Sequence, residues 1–337
     1  MIRYSNYGLM RLPYADEVCM VAQTEGSVET LLHIADLERC KGFVMIPFNA
    51  TSEHPILVIR PDIRTNLSLE QLKAECGEFS AQSAGGDKED YERVFRLFHD
   101  AVNKDYTKLV LSRHVTGTFD GDALSVFVRA CEQYPRTMVY MFHTEKEGTW
   151  IGSTPEILLA GSHSHYRTVA LAGTMPFESS VEWSEKNKEE QAIVARYIRE
   201  TLAPYASVIE EEGPYTSRAG QLVHLKSEFH FSPMTDVSIA RFVELLHPTP
   251  AVCGMPKDKA RAFIEANEGY DRRYYSGVVG MLDTQDDTNL YVNLRCAHFK
   301  NGAMTLYAGG GILPESDVDS EWNETDAKLQ TICSALR

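Results

Sequence analysis

No apolar run in this sequence approaches the roughly 18–20 residues that a membrane-spanning helix requires, so no such helix is expected. Paired-cysteine spacing is also missing. The seven cysteines, at positions 19, 40, 76, 131, 253, 296 and 333, include no Cys-x-x-Cys, and their odd number reads as free thiols in a reducing, cytoplasmic compartment. The first ten residues lack the basic-then-apolar order of a secretory signal. Positive charge is scarce: 33 Lys and Arg stand against 48 Asp and Glu, for a net charge of −15. That excess argues against nucleic acid or an anionic membrane surface as a partner and leaves a small molecule. Neither G-x-G-x-x-G nor G-x-x-x-x-G-K-[ST] occurs, which removes sequence support for a dinucleotide or P-loop site.

What is present is an ordinary globular composition, 43% apolar and 24% charged over 337 residues, enough for one large domain or two ordinary ones. Strand patterns are many and mostly hairpin-spaced: Gly42–Phe48, Ile56–Ile59, Lys108–Arg113, Thr137–His143, Val169–Thr174, Val278–Leu282 and the alternating Asn289–Ala297. Trp150–Leu159 reads as a strand interrupted around Pro155-Glu156 and then resumed. Helical spacing marks Ser68–Glu75, Asp90–Asn103, Leu124–Glu132, Ile239–Leu246 and Lys257–Glu268. The clearest helix, Ser184–Leu202, has Ser184 as N-cap and Val194, Ala195, Ile198 and Leu202 on one face. The small polar stretch Ser80–Lys88 reads as a loop. Helices occur singly or in pairs, so the fold class expected is α+β, with large antiparallel sheets covered by helices.

The chemistry concentrates in Ala308–Lys328. A strand, Met304–Tyr307, runs into Gly309–Gly311, where a ligand could approach bare backbone N–H groups. A helix follows and carries Glu321, Glu324 and Lys328, three and four residues apart and therefore on one face. Two carboxylates and an ammonium beyond such a turn suit a hard cation held with an anionic substrate; the alternative is a solvated acidic helix. Glu156 lies between Pro155 and an apolar run, a setting that raises a carboxyl pKa and suits a general acid. Lys108 opens a strand, where a lysine is ordinarily a surface residue and becomes reactive only if buried. Glu190 falls in the second turn of its helix, near the apolar face.

Nine stretches, in order, resemble the chorismate-utilising enzymes: Lys108–Arg113, Ile151–Leu159, Leu171–Thr174, Ser184–Gln191, Val223–Ser227, His247–Ala260, Tyr270–Gly280, Asn293–Ala297 and Ala308–Lys328. The resemblance covers residues 81–337 as the catalytic region, with residues 1–80 a weakly matched N-terminal part of the same domain. It implies an active site between two subdomains. It also implies Mg²⁺ on Glu190 and Glu324, with Glu321 close by, neutralising the ring carboxylate of chorismate. Tyr275, Arg295 and the backbone at Gly309 and Gly311 match the side-chain carboxylate site, and Gly173, Thr174, His224 and Lys328 match other pocket positions. Lys108 matches the lysine that activates water, and Glu156 the acid that protonates the departing 4-hydroxyl.

Within the family, the closest resemblance is to isochorismate synthases. Ammonia-using anthranilate synthases have a glutamine at the Lys108 position, and aminodeoxychorismate synthases a nucleophilic lysine at the Ala172 position. Ala251 stands where anthranilate and salicylate synthases carry threonine. The implied product is isochorismate, for menaquinone or siderophore biosynthesis. The alternatives are a salicylate synthase, which goes on to eliminate pyruvate, and a non-catalytic anion-binding protein. The chain is expected to be a monomer or a weak homodimer.

Overall fold

The computed structural model describes residues 4–162, 164–178, 181–283 and 286–337. Residues 1–3 of the N-terminal part lie outside the described residues. Seven α-helices are present among those described: α1 (Leu69–Glu75), α2 (Lys88–Val102), α3 (Ala123–Gln133), α4 (Glu185–Leu202), α5 (Ile239–Leu246), α6 (Lys257–Asn267) and α7 (Val318–Cys333). None is long and apolar enough to cross a membrane.

Among the described residues, two antiparallel sheets form the centre. The first has ten strands; nine run in the spatial order Gly254–Met255, Lys108–Gly121, Ala303–Ile312, Cys296–Lys300, Gly148–Thr154, Met138–Thr144, Asn6–Arg11, Glu17–Gln23 and Ile63–Ser68. The tenth, Phe79–Ser83, pairs with Lys108–Gly121. The second has nine: Ala206–Ala219, Leu222–Pro233, His165–Pro176, Ile157–Ser162, Thr288–Val292, Val278–Leu282, Gly42–Ile46, Ile56–Ile59 and Glu29–Leu31. Strands from the first 68 residues are therefore built into both sheets.

The sheets pack face to face, because successive side chains of a strand point to opposite faces. Tyr140, Phe142, Trp150 and Tyr307 of the first sheet meet Phe43, Met45, Val279 and Tyr291 of the second. On the outer face of the first sheet, α1, α3 and α7 cover Val139, Met141, Ile151 and Leu306. On the outer face of the second, α4 and α5 cover Val44, Ala170, Phe229 and Val278. Helices α2 and α6 close one end over Leu109, Leu111 and Ile312. Strands with both faces covered read as continuous apolar runs, which is why Met138–Thr144 shows no alternation.

Two expectations change. Part of the Ser80–Lys88 stretch is not a loop: residues through Ser83 pair with Gly117–Gly121 as a strand. Its side chains are largely exposed, so it is held by backbone ladder bonds and carries no apolar signal. Asn289–Ala297 is also two strands rather than one, and they belong to different sheets.

Candidate active site

The chain crosses between the sheets several times, and two of these crossings place a charged side chain at the junction. Gly148–Thr154 belongs to the first sheet and Ile157–Ser162 to the second, with only Pro155 and Glu156 between them. Proline has no N–H for a ladder bond, so pairing stops there. The return crossing runs through Asn293–Arg295. The crossings are hydrogen-bonded to each other: Val292 N–H donates to Glu156 O at 2.9 Å, and Ser153 N–H to Arg295 O at 3.3 Å. Glu156 and Arg295 are thus delivered to one spot. Arg295 has a backbone φ of 48°, the left-handed region that a side chain adopts only under surrounding constraint.

Other elements complete the pocket. Its lining includes Glu156, Gly173, Thr174, Glu190, His224, Ala251, Tyr275, Arg295, Gly309, Gly311 and Lys328. Lys108 lies beneath it, fully buried, at the start of its strand. Glu190 reaches in from α4: Gly173 N–H donates to its Oε2 at 3.2 Å, at a bulge where Gly173 takes a φ of 72°. Glu321, Glu324 and Lys328 come from α7. All fourteen residues expected at the site are brought to this pocket or its immediate wall.

The triple glycine differs from the sequence reading. Gly309–Gly311 is not a turn; it continues the strand and pairs with Val110–Ser112. Its missing side chains make room for charged groups. A Cβ on Gly309 would sit 2.9 Å from the Tyr275 hydroxyl, and one on Gly310 would sit 2.9 Å from Glu321 Oε2. One on Gly311 would overlap Glu190 Oε1 and lie 2.8 Å from Lys108 Cε. The glycines act as a floor across which acids and lysines meet.

Each of the three acids beside the glycine strand is paired with its own lysine. Lys108 Nζ lies 2.8 Å from Glu190 Oε1, Lys186 contacts Glu321 Oε1, and Lys328 Nζ lies 2.7 Å from Glu324 Oε1. Lys328 also donates to Gly309 O at 2.8 Å, and Ser316 Oγ to Glu321 Oε1 at 2.8 Å. Burial would raise the Glu190 carboxyl, but Lys108 outweighs it and holds the group below its usual range. Burial, reinforced by Glu324, pushes Glu321 up to about 7. Burial also raises Glu156 to about 7, against the opposing pull of a 3.0 Å hydrogen bond from Thr249 Oγ1 and the charges of Lys108, Lys328 and Arg295.

His224 serves Arg295. Its Nδ1 faces Gly173 O at 3.0 Å, and a carbonyl only accepts, so Nδ1 carries the proton. Nε2 is then free to accept from Arg295 Nη2, 2.5 Å away. Burial, with Arg295 and Lys328 nearby, holds this imidazole well below its ordinary pKa and so neutral. Arg295 Nη1 is buried without a hydrogen-bond partner, a donor suited to a carboxylate. The walls are tied together by Arg272, which donates to Val252 O at 2.7 Å and Val110 O at 2.8 Å and pairs with buried Glu268.

Glu190, Glu321 and Glu324 offer hard oxygen donors, as Mg²⁺ requires. Glu321 Oε2 is buried with no hydrogen-bond partner, and with Glu324 Oε1 it flanks Gly310, next to the Gly311 cradle that holds Glu190. The donor set fits the ion. Among the described residues, no three such side chains are already closed around one point, since lysines stand between them.

A family model described as chorismate binding enzyme matches residues 61–337. The chain belongs to this family. It is 29% identical to isochorismate synthase MenF of Bacillus subtilis (strain 168) over 85% of this chain and 67% of that one. It is 31% identical to isochorismate synthase EntC of Escherichia coli (strain K12) over 68% of this chain, but that match spans only 62% of EntC. The fold matches the solved structure of DhbC from Bacillus anthracis with a TM-score of 0.85 and 23% identity, covering 98% and 96% of the two chains. It matches MenF, the menaquinone-specific isochorismate synthase of Escherichia coli, with a TM-score of 0.84 and 20% identity, covering 99% and 89%.

Sequence reasoning missed four site residues of this chorismate-binding enzyme. Thr249, Ser316 and Arg272 look like ordinary loop and linker residues until the fold brings their partners to them. Lys186 carried a usable signal: it stands four residues before Glu190, on the same helix face. Gly311→Ala tests the cradle directly. The added methyl forces Glu190 and Lys108 apart, so chorismate turnover should fall by about a hundredfold or more while cooperative unfolding is retained. Turnover within about twofold of wild type would contradict the close approach.

Proposed function

We propose that the enzyme is an isochorismate synthase, adding water at C2 of chorismate as the 4-hydroxyl leaves C4. The observation that carries this reading is the placement of Lys108 and Glu156 around one pocket, both buried, with the lysine charge acting on the carboxyl. The relatives named isochorismate synthase, aligned over as much as 93% of this chain, support it. Its unpaired thiols are consistent with a cytoplasmic setting.

The steps follow from the side chains. Lys108, as the free amine, accepts a proton from water while the new O–C2 bond forms. Both double bonds of the ring shift by one position and the C4–O bond breaks. Glu156 gives its proton to the departing oxygen, which leaves as water. One water enters and one leaves, so the product is an isomer of the substrate. Here Lys108 is paired with Glu190, so loosening that pair is what frees the lysine to act as a base. The free edge of Arg295, beside Tyr275, holds the side-chain carboxylate. Mg²⁺ on Glu190, Glu321 and Glu324 would supply positive charge for the ring carboxylate.

Incubating the purified protein with chorismate and Mg²⁺ and identifying the products tests the reading. Isochorismate without pyruvate is expected. Ala251 presents a methyl group and no hydroxyl to the pocket. Salicylate with equimolar pyruvate would make the enzyme a salicylate synthase, and binding without turnover would leave an anion-binding protein.

Glu156 must be protonated to act, and its carboxyl titrates near 7, so turnover should fall as pH rises through about 7. Thr249→Val removes a donor that favours the carboxylate, so this alkaline limb should move to higher pH. A limb unmoved in Thr249→Val would belong to another group.

A further inference from the structure

Lys186 is the odd member of the three lysine–glutamate pairs. Lys108 is fully buried, and Lys328 has a second anchor in Gly309 O. Lys186 keeps 24% of its side-chain surface exposed and hydrogen-bonds to Glu321, itself 1% exposed. Lys186 thus occupies one oxygen of Glu321, whose other oxygen flanks Gly310 together with Glu324 Oε1. With three lysines and three glutamates the cluster is neutral. A divalent ion entering alone would leave two uncompensated positive charges in a largely buried site, which is strongly unfavourable. Withdrawing one lysine halves that excess, and Lys186 is the one that can swing to solvent without opening the core.

We propose that Lys186 is a built-in competitor of the metal: its ammonium neutralises the carboxylates in the free enzyme, is displaced when a divalent cation binds, and sets the affinity for that cation. This rests on the reading of Glu190, Glu321 and Glu324 as metal ligands. It assigns a role to the first turn of α4 that the reaction itself does not require. Because Lys186 and Glu190 lie one helical turn apart on the same element, displacement alters the electrostatics on both sides of the cradle.

The test is Mn²⁺ binding without chorismate, read as free Mn²⁺ by electron paramagnetic resonance, for wild type, Lys186→Met and Lys188→Met. Lys188 is an exposed lysine of the same helix, paired with Glu185, and controls for the change in net charge. Lys186→Met should bind Mn²⁺ at least about tenfold more tightly, since a unit charge a few ångströms away is removed. Lys188→Met should stay within about twofold of wild type. Unchanged or weaker binding in Lys186→Met overturns the proposal. If that variant folds poorly, Lys186→Gln replaces it, and the rise in Tm on adding Mn²⁺ should exceed that of wild type; an equal or smaller rise overturns the proposal. Isochorismate formation by wild type with unchanged Mn²⁺ affinity in the variant would sink this inference alone. Tighter binding without chorismate turnover would sink the assigned reaction alone.

Discussion

Three carboxylates and three ammonium groups share a largely buried space, and the site depends on that balance. An isolated charge in a protein interior costs several kcal/mol, so each of these groups is tolerable only because a partner of opposite sign is in contact. The strand Ala303–Ile312 makes the contacts possible by presenting three residues without side chains. A Cβ at any of them would meet a functional group instead of empty space. The same constraint explains how a chain of net charge −15 can receive an anion, because local lysines and Arg295 neutralise the acids that face the pocket.

The architecture delivers the charges without long loops. Two sheets packed face to face would ordinarily be independent layers. Here the chain passes between them at Pro155-Glu156 and at Asn293–Arg295, and backbone hydrogen bonds hold the crossings side by side. The acid and the guanidinium are fixed by the sandwich itself. Thr249 and His224 then orient them, one through the carboxyl oxygen and the other through Nη2. Arg272 ties the Val252 segment to the strand that begins at Lys108, and so joins the wall containing Ala251 to the floor. Rigid support of this kind keeps reacting groups within the narrow tolerances that catalysis demands.

Much of this was legible in the sequence, and what was not has physical reasons. Helix boundaries followed from caps and apolar spacing: Ser68 and Ser184 both accept bonds from the first turn of their helices. Glu156 could be found because proline on one side and an apolar run on the other announce a desolvated carboxyl. Arg295 was placed only by family resemblance, because the alternation of Asn289–Ala297 hides a change of sheet that leaves no mark on residue periodicity. The glycines announced a special backbone but not its purpose, since a strand with room for neighbouring side chains and a turn open to a ligand use the same letters. Lys108 looked like a surface lysine because burial of a charge is decided by partners remote in sequence, Glu190 and Gly311 among them. Thr249, whose partner is the Glu156 carboxyl, belongs to the same class.

The most direct measurement is the position of a divalent ion in crystals soaked with Mn²⁺, located by its anomalous scattering. The account predicts one peak within bonding distance of Glu190, Glu321 and Glu324, beside Gly310, with the Lys186 side chain turned away from Glu321. A peak elsewhere, or an ion bound while Lys186 still contacts Glu321, would contradict it.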